Sequence, residues 1–173
     1  MTELATTLDN TVAQSNAAVD GAQIGPELFD VVEVLDSNRD LRVALIDPAA
    51  SSEKRADLAD RVFGEKLNQA SRSVLRSAVD KDWSNTRDFR NGLVQLGRRA
   101  LFRAAEVDDK LTTVESELFQ LARVLEDAPQ LEMLLADRQA SADRRRQLLA
   151  SVLYGKVTSI TETLALQAIS RAK

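Results

Sequence analysis

Shifted by 90 residues, the sequence lies over itself without a gap. Residues 27–79 meet 117–169 with 15 identities in 53 positions, where this Leu- and Ala-rich composition gives about 4 by chance. Glu27-Leu28-Phe29 meets Glu117-Leu118-Phe119, and Val34-Leu35 meets Val124-Leu125. Leu41, Leu45, Asp47, Ala50 and Ser51 meet Leu131, Leu135, Asp137, Ala140 and Ser141. Arg55, Leu58, Val62, Lys66 and Ala78 meet Arg145, Leu148, Val152, Lys156 and Ala168. Two amphipathic helices of similar period match over one element. They do not stay in register across four elements and the turns between them, so the chain is expected to hold two copies of one unit.

The unit is helical. Leu111, Val114, Leu118, Leu121 and Leu125 are spaced three, four, three, four, which places them on one helix face. Phe89, Leu93, Leu96, Ala100, Ala104 and Val107 form a second stripe, with Ser84 or Asn85 as its N-cap. Gly92 and Gly97 inside that stripe mark a close helix approach or a bend. The first copy is expected to carry helices over 26–37, 40–46, 52–63 and 69–81. The second carries them over 108–127, 130–136, 142–153 and 159–171. Gly25-Pro26 reads as a helix start with proline at the first position. Ser37-Asn38 ends that helix, Ser51 caps the helix that follows Pro48, and Gly64 ends it. Residues 1–22 form a polar helix bearing Leu4, Leu8 and Val12, then Ala17-Ala18. The expected fold is all-α: tandem helical bundles from an internal duplication, joined by a long shared helix. The divisions are 1–84 for the first bundle, 85–106 for the connecting helix and 107–173 for the second bundle.

The composition is that of a soluble globular chain, 44% apolar and 29% charged over 173 residues. Two units of about 80 residues would each be marginal alone and gain from packing together. A net charge of -4 argues against nucleic acid and anionic membranes, both of which select basic surfaces. Cysteine and histidine are absent. Thiolate zinc sites, cysteine nucleophiles and the serine–histidine triad are therefore excluded. No run approaches the ~20 apolar residues of a membrane span, and the start lacks the features of a signal peptide. A cytoplasmic chain that meets a membrane only through its partners is expected, with no direct membrane insertion.

Chemistry-bearing clusters are sparse. No glycine-rich loop ends in Lys-Ser or Lys-Thr, so no nucleotide site or other cofactor is expected. Asp80 with Asp82, and Asp108-Asp109, sit at helix ends and read as solvated caps rather than metal or acid–base pairs. Arg98-Arg99 and Arg144-Arg145-Arg146 read first as solvated faces, with contact to nucleic acid or an acidic partner as the alternative. Trp83, the single tryptophan, reads as packing at the bundle boundary, with a partner hot spot as the alternative.

The order of these elements resembles a known family. Arg99-Ala100-Leu101-Phe102-Arg103-Ala104-Ala105, followed by Leu111, Val114, Glu117-Leu118, Leu121 and Leu125, is similar to the opening of the delta subunit of bacterial F-type ATP synthase. The mitochondrial oligomycin-sensitivity-conferring protein is its relative. Leu131 to Leu135, Arg144-Arg145-Arg146-Gln147-Leu148-Leu149, Leu153-Tyr154-Gly155-Lys156-Val157-Thr158 and Leu164 to Ile169 continue the pattern. It covers about 98–171 well, and the first copy more weakly. Two departures stand out. Gly97 falls where the family usually has an aromatic, and the family's glycine-rich C-terminal region is absent. The resemblance thus implies an incomplete delta chain of the enlarged actinobacterial type, with the closing helix of the second bundle missing.

That resemblance implies a non-catalytic stator subunit on the inner face of the membrane. It would bind the N-terminal helices of alpha subunits on the catalytic head and link the head to the peripheral-stalk b subunit. The physics is helix-in-groove recognition. Carried onto this sequence, the groove implies Leu96, Ala100, Leu101 and Ala104 on one side and Leu164, Ala165 and Ala168 on the other. Packing inside the bundle is the competing role for each, because a helical period does not separate groove from core. The alternatives for the chain are a helical scaffold or adaptor unrelated to ATP synthase, and a carboxylate enzyme, which would need a deep pocket of clustered acids.

Overall fold

The computed structural model describes residues 2–14, 17–137, 139–153 and 156–170. Within them the chain is all-helical. The elements are α1 (Thr2–Gln14), α2 (Ala17–Asp36), α3 (Arg39–Leu45), α4 (Ser52–Phe63), α5 (Gln69–Asp80), α6 (Thr86–Val107), α7 (Leu111–Asp127), α8 (Pro129–Ala136), α9 (Ala142–Leu153) and α10 (Ser159–Ser170). The chain divides into two compact units, residues 1–107 and 108–173. The long helix α6 falls in the first.

In the first unit, α2 and α6 form the central pair, running antiparallel. Gly21 faces Ala100 and Ala104, Gly25 faces Leu101 and Gly97, Phe29 lies on Gly97, and Asp36 meets Arg90. Glycine permits this approach. A Cβ at Gly25 would sit 2.5 Å from Leu101 Cγ and 3.0 Å from the Gly97 carbonyl oxygen. One at Gly97 would sit 2.5 Å from Phe29 Cε1, so this glycine marks close approach and not a bend. The seam also explains a departure from the sequence expectation. Pro26 lies inside α2, not at its start. Proline inside a helix forfeits a backbone hydrogen bond and costs ~3 kcal/mol. Continuing the helix through it gains the contacts of Gly21 and Gly25 with α6. The expected helix over 1–22 is divided between α1 and α2, and its residues 15–16 lie outside the described residues.

The remaining helices close around this pair. Ile24, Leu28, Val31, Leu35, Phe63, Leu75, Phe89 and Leu93 are among the buried core of the first unit. At the α5–α6 corner, Trp83 Nε1 donates to the Ala78 carbonyl at 2.7 Å, and its ring meets Phe89 at 5.7 Å in a tilted pair. The caps follow the sequence. Ser51 Oγ accepts from Lys54 N at 3.2 Å, and Asn85 Oδ1 accepts from Asp88 N at 2.8 Å. Gly64 stands at the end of α4.

In the second unit, Leu135, Leu149, Leu153 and Ala165 are buried, with Leu121, Leu125, Leu131 and Leu148 against them. Its first helix begins at Leu111, three residues later than expected. Asp109 turns the chain there with φ 56°, a left-handed conformation that Asp tolerates better than most residues. The Tyr154-Gly155 part of the sequence motif lies outside the described residues.

Local geometry recurs at the 90-residue offset. The bounds of α4 and α5, shifted by 90, are those of α9 and α10. Glu27 accepts from Asn68 N at 2.9 Å and Ser71 Oγ at 2.6 Å; Glu117 accepts from Thr158 N at 2.8 Å and Thr161 Oγ1 at 3.2 Å. Each carboxylate thus ties its helix to the start of a helix about 40 residues on. Arg55 is buried and donates to the carbonyls of Val79 (2.9 Å), Asp47 (3.0 Å), Ala50 (3.1 Å) and Asp80 (3.4 Å). Arg145, equally buried, donates to the carbonyl of Ile169 at 3.2 Å. Hence the middle residue of Arg144-Arg145-Arg146 is a packing residue and not part of a solvated face.

Two substitutions test these contacts. Gly25→Val is expected to destabilise the chain by about 2–3 kcal/mol through overpacking against α6. Ala22→Val, on the exposed side of the same helix, should cost less than about 1 kcal/mol; urea unfolding compares the two. Arg55→Lys keeps the charge but loses the planar fork that reaches several carbonyls, and should cost about 2–4 kcal/mol in the same measurement.

Candidate functional site: helix surfaces

The seven residues read from sequence as a partner groove fall in both units. Leu96, Ala100, Leu101 and Ala104 lie on α6 and are buried. Three of them have identified neighbours within the first unit: Gly21 lies on Ala100 and Ala104, and Gly25 lies on Leu101. Leu164 and Ala165 on α10 are buried too, whereas Ala168 is exposed. Ala168 is thus the member of the set whose side chain meets solvent.

A salt-bridge clasp lies beside the α6 residues. Arg99 donates from Nε and Nη2 to the two carboxylate oxygens of Asp9 on α1, at 3.1 and 2.6 Å. Arg103 Nε lies 3.8 Å from the same carboxylate. The hydrogen bond from Arg99 holds the Asp9 carboxyl below its ordinary value of 3.8 against the opposing effect of burial, and charge from Arg99 and Arg103 adds to it. The same pairing raises Arg99. Leu4 and Leu8, on α1 with Asp9, are buried. The Arg98-Arg99 pair therefore contributes at least one residue to an internal bridge.

Of the large exposed apolar side chains among the described residues, Val43 and Val107 lie in the first unit and four lie in the second. Phe119 is 65% exposed and Val124 46% on α7; Met133 is 72% and Leu134 56% exposed on α8. The sequence reading missed them as a surface, because a helical stripe gives each side chain a face and not a cover. The repeat held the signal: Phe119 aligns with Phe29, which is partly buried against Gly97 of α6. Arg123 lies 5.9 Å from the Phe119 ring centroid. This is a cation–π contact worth about 0.5–1 kcal/mol at an exposed site. Among the described residues, no three carboxylates gather as a metal-ligating group. No helix there is long and apolar enough to cross a membrane.

An all-helical chain with its chemistry spent on internal bridges, and with apolar helix faces left outward, is of the helical-bundle class. Comparison narrows the class. The sequence profile described as ATP synthase delta (OSCP) subunit matches residues 99–171. A curated ATP synthase subunit delta of Corynebacterium kroppenstedtii is 99% identical over 173 residues, covering 100% of this chain and 64% of that protein. The same-named proteins of Corynebacterium jeikeium and Corynebacterium urealyticum are 56% and 53% identical over 168 residues, 96% of this chain and 62% of theirs. Residues 99–171 thus match the ATP synthase delta (OSCP) subunit family, and the whole chain is similar to part of these delta subunits. It spans a little under two thirds of the length of these relatives.

The clasp makes a pH prediction. A carboxyl with a lowered folded-state value adds stability that is present above its unfolded value and lost as pH falls through the folded one. Acid unfolding of Asp9→Asn should therefore lose a stability increment of up to about 1 kcal/mol near neutrality, given the exposure of the pair. The variant and the parent should converge once the pH falls below the ordinary carboxylate range.

Proposed function

We propose that this chain is part of a non-catalytic peripheral-stalk subunit of an F-type ATP synthase. In this reading it binds amphipathic N-terminal helices of alpha subunits on the catalytic head and helps to join the head to the b subunit of the stalk. It works on the cytoplasmic side, held to the membrane by the complex. It holds the head against rotor torque and does no chemistry of its own.

The observation that carries the reading is the family match over residues 99–171, supported by the 99% identity to a curated delta subunit. The physical character of the chain fits the role. A stator element needs a stiff body and a surface for partner helices. The glycine seam and the buried arginines stiffen the units, and helix-in-groove docking needs an apolar face with small residues at the approach. Exposed Ala168 on α10, beside the buried Leu164 and Ala165, offers a small residue for such an approach.

The test mixes the chain with a synthetic peptide of an alpha-subunit N-terminus and reads heat by calorimetry. Binding tighter than about 100 µM, roughly −5.5 kcal/mol, is expected; no heat up to that range would overturn the reading. Ala168→Glu should weaken the peptide at least about tenfold with helicity unchanged. Ala100→Glu, which places a charge in the α2–α6 seam, should instead lower helicity and stability.

A further inference from the structure

Asn91-Gly92 is the sole Asn-Gly step in the sequence. Such a pair favours turns and ranks low in helix propensity. It nevertheless lies inside α6, with Asn91 half-buried and Gly92 buried. The contacts on either side are those of the α2–α6 seam. Phe89 and Leu93 are in the core, Arg90 holds Asp36 through bonds of 2.6 and 2.9 Å, and Phe29 lies on Gly97. Arg90 Nη1 also donates to Asn91 Oδ1 at 3.4 Å. One guanidinium thus spans the Asp36 carboxylate and the Asn91 amide.

At an Asn-Gly step the backbone can attack its own side chain. The Gly92 nitrogen loses its proton to hydroxide and bonds to Asn91 Cγ. The Cγ–Nδ2 bond breaks, and the amide nitrogen takes a proton from water and leaves as ammonia. Water then opens the five-membered imide at one of its two carbonyls. One product has aspartate at 91. The other is isoaspartate, whose main chain runs through the side-chain carbons. Glycine favours the attack because no side chain shields its nitrogen. The helix forbids it. A helical ψ of about −42° turns the Gly92 nitrogen away from Cγ, and the same N–H is committed to the carbonyl four residues back. Reaction therefore waits for α6 to open at this point, and opening it there parts it from α2.

We propose that Asn91-Gly92 is a deamidation site that the α2–α6 seam holds closed, and that isoaspartate formed there keeps the seam from closing again. The extra main-chain atom shifts α6 on one side of the site against the other. Arg90 and Gly97 stand on opposite sides of it, and their partners Asp36 and Phe29 are fixed on one helix. After the insertion the two contacts cannot form together. The aspartate product adds only a charge, and Arg90 already stands beside it. The site thus records, in a covalent bond, that α6 has left its place. The inference is independent of which partners the chain binds.

The chain is aged in mildly alkaline buffer, and conversion at position 91 is followed by peptide mass, with the two acids separated by chromatography. The chain unfolded in concentrated urea should react at least about a hundredfold faster than the folded chain. Gly25→Val should speed the reaction about thirtyfold or more, and Ala22→Val less than about fivefold. Urea below the unfolding transition should raise the rate in the unsubstituted chain in step with amide exchange over 89–97, which tests the gate without a variant. Equal rates in the folded and unfolded chains, a Gly25→Val chain that reacts at the parent rate, or a rate that stays flat while exchange rises would each overturn the gate. The second claim is read on the aged product. Chains bearing isoaspartate should lose protection over 89–97 at least about tenfold. Asn91→Asp, which adds the charge alone, should keep it, and so should aged Asn91→Gln, whose longer side chain closes no five-membered ring. Protection retained in the isoaspartate chain, or lost in either variant, would overturn the claim that the inserted atom holds the seam open.

Discussion

The close approach of α2 to α6 is the contact on which the first unit depends. Three glycines, on two helices, remove the side chains that would otherwise hold the backbones apart. Gly21 and Gly25 lie one turn apart on α2, and Gly97 answers them on α6. Glycine in a helix costs up to ~1 kcal/mol against alanine. Here the loss is offset by packing that no larger residue allows. The seam fixes the position of Phe29, brings Asp36 to Arg90, and presents α6 so that Arg99 reaches Asp9 on α1. Pro26 is held within a helix because both its neighbours in the seam are already committed to α6.

Much of this was legible in the sequence. Period and composition gave the helices; Ser51 marked one start to the residue, and the choice between Ser84 and Asn85 marked another to within one, which Asn85 fills. The 90-residue register anticipated helix bounds that coincide for α4 with α9 and α5 with α10. Two failures share a cause. Gly25-Pro26 has every local mark of a helix start, and Arg144-Arg145-Arg146 has every local mark of a solvated face. In each case a partner distant in sequence decided the outcome: Gly97 and Leu101 for the proline segment, and the end of α10 for Arg145. Local rules carry no information about such partners. The register did carry some, since Arg145 aligns with Arg55, but an aligned arginine does not announce that it is buried.

The seven groove residues show the same limit from the other side. Periodicity put small and apolar residues in two rows and could say nothing of what lies upon them. Six of the seven are buried, and only Ala168 meets solvent. Four exposed apolar side chains lie instead on α7 and α8. Phe119 among them becomes visible by setting one unit beside the other, where its counterpart Phe29 is partly buried.

The buried arginines have an electrostatic consequence. A helix concentrates partial negative charge on its last carbonyls, and a cation in the final turn usually answers it. Neither α5 nor α10 has a basic residue in its last turn. Arg55 and Arg145 reach those ends from the preceding helix, spanning 24 residues of chain each. Each unit thus borrows its terminal cation from a neighbour in sequence, so the charge that steadies the end of one helix arrives only when the helix before it has docked. Neither α5 nor α10 can be fully stabilised as an isolated segment. Order at these ends reports the assembly of the pair and not the propensity of either strand of sequence.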